Sequence, residues 1–203
     1  RGMVVAPHYL AAEAGLNILR AGGNAVEAAV ATAATLSVVY PHMTGLGGDA
    51  FWTIHDPVSG RVTCVDGSGL SGQRVGPEHL RELGHTALPQ RGAAAMLTCP
   101  GAVSGWSKAM ELAAGWGERL PLDRLLEEAV YYAEHGYPVS VGQAGYLAEK
   151  AEELRTQPGF SAHFLVSGQA PAPHSRHAQP ALARTLRRLA LEGLDSFYRG
   201  DLA

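Results

Sequence analysis

A helix with almost no polar face constrains this chain more than any other feature. From Gly22 to Phe51 the sequence reads GGNAVEAAVATAATLSVVYPHMTGLGGDAF. Gly22-Gly23 suits the left-handed turn that closes a preceding helix, and Asn24 is a good N-cap for the next. From Ala25 to about Val39 the residues are small or apolar on nearly every side, so neighbouring backbones can approach closely. Pro41 stops the regular continuation, and the glycine corner Gly45-Leu46-Gly47-Gly48 feeds an expected strand. A helix this apolar is stable in water only when covered on both sides, between a sheet and other helices. It is also too short for a bilayer, which needs about 20 residues.

The rest of the chain supplies the covering elements. Met3 to Ala6 is expected as a strand, and His8 to Arg20 as a helix with Ala11, Gly15, Ile18 and Leu19 on one stripe. Phe51–His55 and Arg61–Val65 flank the turn-rich DPVSG and predict a hairpin. Asp66 to Gly76 is a glycine-rich loop, Pro77 to Leu83 a short helix, and Ala93 to Thr98 an expected strand. Pro100-Gly101 opens a helix running to about Ala114. The clearest amphipathic stripe lies between Pro121 and Gly136, followed by helices over Val141–Arg155 and Pro180–Glu192. Gln157 to Ala178 reads as irregular, and Asp195 to Ala203 as a last turn.

Composition excludes several function classes. Over 203 residues, 46% are apolar and 17% charged, which suits one packed domain or a large piece of a bigger one. A net charge of −3 gives no electrostatic case for nucleic acid or an anionic membrane. Cys64 and Cys99 have neither disulfide-framework nor metal-site spacing and are expected as buried free thiols. His174 and His177 form an HxxH without further ligands nearby, so solvated histidines are expected and no metal. Arg184, Arg187 and Arg188, like Glu127-Glu128, are expected on solvated helix faces.

Two glycine-rich segments are the candidates for chemistry. The corner at Gly45–Gly48 follows a helix and precedes a strand, the reverse of the order a dinucleotide loop requires. It is expected to act as a tight turn. Asp66-Gly67-Ser68-Gly69 offers a hydroxyl and backbone N–H groups suited to a small anion, with a plain surface turn as the alternative. Neither Gly67-Ser68-Gly69 nor Ser104-Gly105 fits the spacing of a hydrolase elbow.

Three stretches together resemble the gamma-glutamyltransferase family of N-terminal-nucleophile hydrolases. They are GMVV with AEAGLNIL, then GGNAVEAAVA leading to GLGGDAF, and PGAVSGW with DSFYRGDLA as a weaker echo. The resemblance implies an α/β (α+β) fold, the αββα sandwich, with residues 1–203 an incomplete, single-domain part of the large subunit. It implies a proenzyme that cuts itself, with a threonine at the new N-terminus of the small subunit as nucleophile. No catalytic residue is then expected on this chain, and no cofactor. The expected partners are that small subunit and a small-molecule amide.

One departure from the family pattern bears on the substrate. The gamma-glutamyl enzymes read D-x-R-E-x-A-P where this chain has Asp66 to Gly72, and their arginine holds the substrate's α-carboxylate. Here Ser68 takes the arginine's place and Gly69 the glutamate's. A hydroxyl does not replace a bidentate guanidinium. With Pro7-His8 and Pro41–Gly45, the Gly-Ser-Gly resembles a side branch that includes oxamate amidohydrolases of purine nitrogen breakdown. Gamma-glutamyl hydrolysis or transfer is the alternative, and a non-catalytic relative the rival. An oxamate amidohydrolase implies the cytoplasm and a typical gamma-glutamyltransferase the periplasm. Gly67, Ser68 and Gly69 are the expected substrate-binding residues, Thr44, Gly47 and Gly48 the pocket-shaping ones. Arg74 is a further candidate to reach the substrate. On this reading, Ser68→Arg is expected to weaken a compact substrate and to admit a gamma-glutamyl one.

Overall fold

The computed structural model describes residues 2–73 and 76–203; Arg74 lies outside them. The all-apolar helix is α2 (Ala25–Val39), and the fold is laid around it. Asn24 accepts from the amides of Val26 and Glu27, while Glu27 Oε2 accepts from the Asn24 amide at 2.8 Å. This closes a reciprocal capping box on donors that would otherwise be unpaired. The other Glu27 oxygen reaches out of the helix and accepts from the amide of Leu120 at 2.9 Å. A carboxylate only 4% exposed thus ties the segment before the next long helix to the start of α2.

Helix α1 (Tyr9–Arg20) starts at His8, whose Nδ1 accepts from the Leu10 amide, and packs along α2. Gly15 lets the two helices approach closely. A Cβ there would overlap Thr32 Oγ1 and stand 2.9 Å from the Ala28 carbonyl oxygen. Across α2 lies α5 (Leu122–His135), and beyond it α8 (Pro180–Glu192), each burying one leucine and alanine stripe. Gln179 joins the layer. Its side chain donates to the Val38 carbonyl near the end of α2, and its amide donates to Ala133 of α5. The carbonyl left without an intrahelical partner where Pro41 breaks the helix is therefore satisfied.

On the other side, β1 (Ala50–His55) and β2 (Val62–Gly67) form the expected hairpin, paired from Ala50↔Gly67 to His55↔Val62. It packs on α4 (Ala102–Leu112), where Gly105 lets Trp52 and Ala50 close on the helix. The remaining elements are α3 (Pro77–Glu82), β3 (Tyr137–Pro138) with β4 (Arg176–His177), α6 (Val141–Leu154), α7 (Phe160–Phe164) and α9 (Ser196–Arg199).

Two expected strands differ. Met3 to Ala6 has a strand's alternation, with Met3 and Val5 exposed and Val4 and Ala6 half-buried, yet it has no ladder among the described residues. A strand is defined by its partner, which alternation alone does not supply. Residues 93–98 make a single 3-10 turn at Ala93–Ala95 and one bridge, Thr98 to Ser71. The irregular stretch 157–178 contains α7 and β4.

Side-chain expectations are corrected in three places. Cys64 and Cys99 are exposed, the first because it falls on the open face of β2, where exposed and half-buried residues alternate, the second in the loop before α4. His177 is 7% exposed, edge-on to Tyr137 and stacked on Phe164, while His174 is exposed as expected. Glu128 is half-buried and accepts from the Asn17 side chain at 3.3 Å, whereas Arg184, Arg187 and Glu127 are exposed as expected, with Arg187 paired to Glu134, Arg188 to Glu192 and Asp201, and Arg124 to Glu127. At the exposed positions such pairs stabilise little.

The buried imidazoles make stability depend on pH. Burial lowers the pKa of His177 and of His42, and that of His8 is lowered by burial first and then by the nearby His42. Buried His177 Nε2 and His42 Nδ1 have no hydrogen-bond partner among the described residues, so protonation would add an unpaired donor and a charge. A folded pKa below the unfolded value of about 6.5 means that the unfolded chain takes up protons first as pH falls. Stability should therefore be steady above that point and drop below it until the folded values are reached. Unfolding midpoints at neutral and mildly acidic pH read the slope. His177→Phe, which keeps the stacking, should shrink it.

Candidate active-site loop

The two glycine-rich segments of the sequence meet at the start of α4. The Gly48 carbonyl accepts from the amides of Gly101 and Ala102 at 3.0 and 2.9 Å, so the corner supplies the cap that Gly101 has no side chain to make. Tyr198 completes it from α9. Its hydroxyl donates to the Pro100 carbonyl at 2.7 Å and accepts from the Ser104 amide at 2.9 Å. The weak motif at the end of the chain is thereby joined to the PGAVSGW stretch.

The end of β2 and the loop after it lie across the same junction; Asp66 and Gly67, expected in that loop, are instead the last residues of the strand, held there by pairing with Phe51 and Ala50. Gly67 is buried, and a Cβ on it would stand 2.5 Å from the Ala50 carbonyl oxygen and 3.0 Å from that of Gly101. Gly101 returns the contact: its Cβ would overlap the Gly67 carbonyl oxygen and lie 2.9 Å from the Gly69 nitrogen. Gly69 has φ of +75°, and a Cβ there would overlap the Cys99 carbonyl oxygen. Farther along, Cys99 N donates to Leu70 O at 2.9 Å and Gly72 N to Leu97 O at 3.1 Å. The loop and the 97–101 segment are thus pressed backbone to backbone, which only glycine permits.

Ser68 is half-buried, and its donors turn onto the exposed carboxylate of Asp66. Its amide donates to Asp66 Oδ1 at 2.9 Å. That bond first, and the Ser68 hydroxyl second, hold the Asp66 carboxyl below the usual carboxylate range. Asp66 is therefore an anion at neutral pH, and the Ser68 N–H is occupied rather than open to a bound anion. Beside Asp66 and Gly67 lies a cleft of about 420 Å³, also lined by Ser104, Lys108, Asp195 and Tyr198. Lys108 is paired with Glu111 at 2.8 Å.

The structure brings Gly67, Ser68, Gly69 and Gly48 together at one junction. Gly47 and Thr44 are exposed beside it. Gly45, Gly47 and Gly48 do not occupy the left-handed region, and a Cβ on Gly47 would meet nothing within 4 Å. Gly48 thus contributes its carbonyl rather than a conformation only glycine adopts. Gly101, Cys99 and Tyr198 are not among the site residues expected from the sequence. Pro100-Gly101 and the closing DSFYRGDLA were its only signals for them.

No group of three or more His, Cys, Asp or Glu among the described residues is arranged to hold a metal. None of the described helices is long and apolar enough to cross a membrane.

The family model described as gamma-glutamyltranspeptidase matches residues 11–203. The chain is 54% identical over its full length to an oxamate amidohydrolase proenzyme of Klebsiella pneumoniae. It is 44% identical over 201 residues to a glutathione hydrolase-like YwrD proenzyme of Bacillus subtilis. It spans 38% and 37% of those two relatives' lengths. Among solved structures, the gamma-glutamyltranspeptidase of Helicobacter pylori superposes on all of this chain with a TM-score of 0.90 at 29% identity, the match covering 57% of that structure.

Proposed function

The chain belongs to the gamma-glutamyltranspeptidase family, and from that premise we propose that it is part of the large subunit of a self-processed hydrolase of small amides of the oxamate type. The observation carrying this reading is the 54% identity to an oxamate amidohydrolase proenzyme along the full chain. The sequence at Ser68 and Gly69 agrees with it.

The reaction proposed needs a hydroxyl nucleophile, which the resemblance assigns to a threonine freed in the small subunit. Its oxygen forms an ester to the carboxamide carbon, the C–N bond breaks, and nitrogen leaves as ammonia with the hydroxyl's proton. Water then splits the ester, releasing oxalate and restoring the hydroxyl. This chain's part is to build one wall. The Asp66–Ser68 segment at the end of β2 carries no long cation, which leaves room for a compact substrate and no fork for an amino-acid carboxylate.

A second reading, gamma-glutamyl hydrolysis, is favoured by the 44% identity to a glutathione hydrolase-like protein. The full-length, self-processed protein separates the two when offered oxamate and gamma-glutamyl-p-nitroanilide side by side. Ammonia from oxamate without nitroaniline is the expected result. Nitroaniline without ammonia would establish the second reading. Correct processing with neither product would mark a non-catalytic relative.

A further inference from the structure

We infer that Gly69, through its backbone contact with Cys99, is a specificity-determining position, because it fixes where residue 68 stands in the substrate pocket. This rests on the reading of the loop as a wall of a small-amide site.

The contact leaves the loop little freedom. At φ of +75° Gly69 occupies a region that residues with a side chain rarely adopt, and a Cβ there would overlap a backbone oxygen rather than a flexible side-chain tip. The neighbours are fastened as well. Leu70 and Gly72 are hydrogen-bonded to Cys99 and Leu97, and Gly67 is wedged between Ala50 and Gly101. A larger residue at 69 must therefore lift the loop off the 97–101 segment. Ser68, one residue away and turned onto Asp66, must move with it.

Two consequences follow. With Gly69 in place, an arginine at 68 starts from a backbone seated against Cys99, and its guanidinium is not delivered to a substrate carboxylate by the exchange alone. Conversely, Gly69→Ala moves Ser68 without altering any side chain that faces the substrate.

The test uses the full-length, self-processed enzyme. Gly69→Ala should raise KM for oxamate about tenfold while kcat changes far less, a displacement of a positioning element rather than a loss of chemistry. Amide exchange at Cys99 and Gly72 should quicken about tenfold in the same variant as the loop opens. Against the expectation drawn from the sequence alone, Ser68→Arg by itself should release no nitroaniline from gamma-glutamyl-p-nitroanilide. The inference is overturned if Gly69→Ala quickens exchange but leaves the oxamate KM unchanged, if exchange does not change, or if Ser68→Arg alone releases nitroaniline. Should Gly69→Ala fail to process, the Ser68→Arg result decides. If the unaltered enzyme releases no ammonia from oxamate, the small-amide reading fails, while amide exchange and the nitroaniline assay still decide the role of Gly69.

Discussion

Replacing Glu27 by alanine should cost about 3 kcal/mol, because two partly buried amides, those of Asn24 and Leu120, lose their acceptor together. For a chain of this size that lowers the unfolding midpoint by about 10 °C. Glu27 is itself only 4% exposed, so in the unaltered protein both amides meet the carboxylate rather than water. Glu27→Gln separates the two bonds. The amide keeps one acceptor oxygen and turns an NH2 group toward the other backbone donor, so the cost should be roughly half that of alanine. Equal midpoints for Glu27→Ala and the unaltered protein would show that this carboxylate does not hold the 113–121 segment to α2.

Gly15→Ala tests the helix crossing, and here two effects oppose. Alanine is the better helix former by up to about 1 kcal/mol. Overpacking a close contact costs about 1–3 kcal/mol, and the new methyl would overlap Thr32 Oγ1 while standing 2.9 Å from both the Ala28 carbonyl oxygen and Val4 Cγ1. A backbone oxygen cannot step aside as a side chain can, so the clash wins, and the net loss should be about 2 kcal/mol. Thr32→Ala removes one of the three obstacles and the hydroxyl's bond to the Ala28 carbonyl. The double variant should therefore be more stable than the sum of the single ones predicts, by about 1 kcal/mol. Simple additivity would mean that α1 shifts away from α2 instead of being held against it.

The elements legible in the sequence are those whose cause is local. Asn24 with Glu27, Pro41, the DPVSG turn, and Pro121 with Gly136 each act within a few residues, and the helices and the hairpin stand where they predict. What failed depended on partners distant in sequence. Met3 to Ala6 has the right alternation but no ladder, and His177 is buried by Tyr137 and Phe164 from two other elements. At the candidate site, the composition of Gly67-Ser68-Gly69 marked the loop. Its fastening was not legible, since Gly67 meets Gly101 and Gly69 meets Cys99, contacts between backbones some 30 positions apart. Nor did the sequence reveal that Asp66 already occupies the Ser68 amide.

The junction of Gly67, Gly69 and Gly101 also bears on how such a protein can evolve. A contact between side chains can drift by paired exchanges, each compensating the other, and leaves covariation behind. A contact between bare backbones has no such path, since no change at Gly101 or Cys99 makes room for a side chain at 69 while the carbonyl stays. A lineage carrying this interlock would cross to another loop by replacing the segment as a block, by recombination or insertion, rather than by single steps. Within the lineage these glycines should look frozen while the exposed residues around them vary.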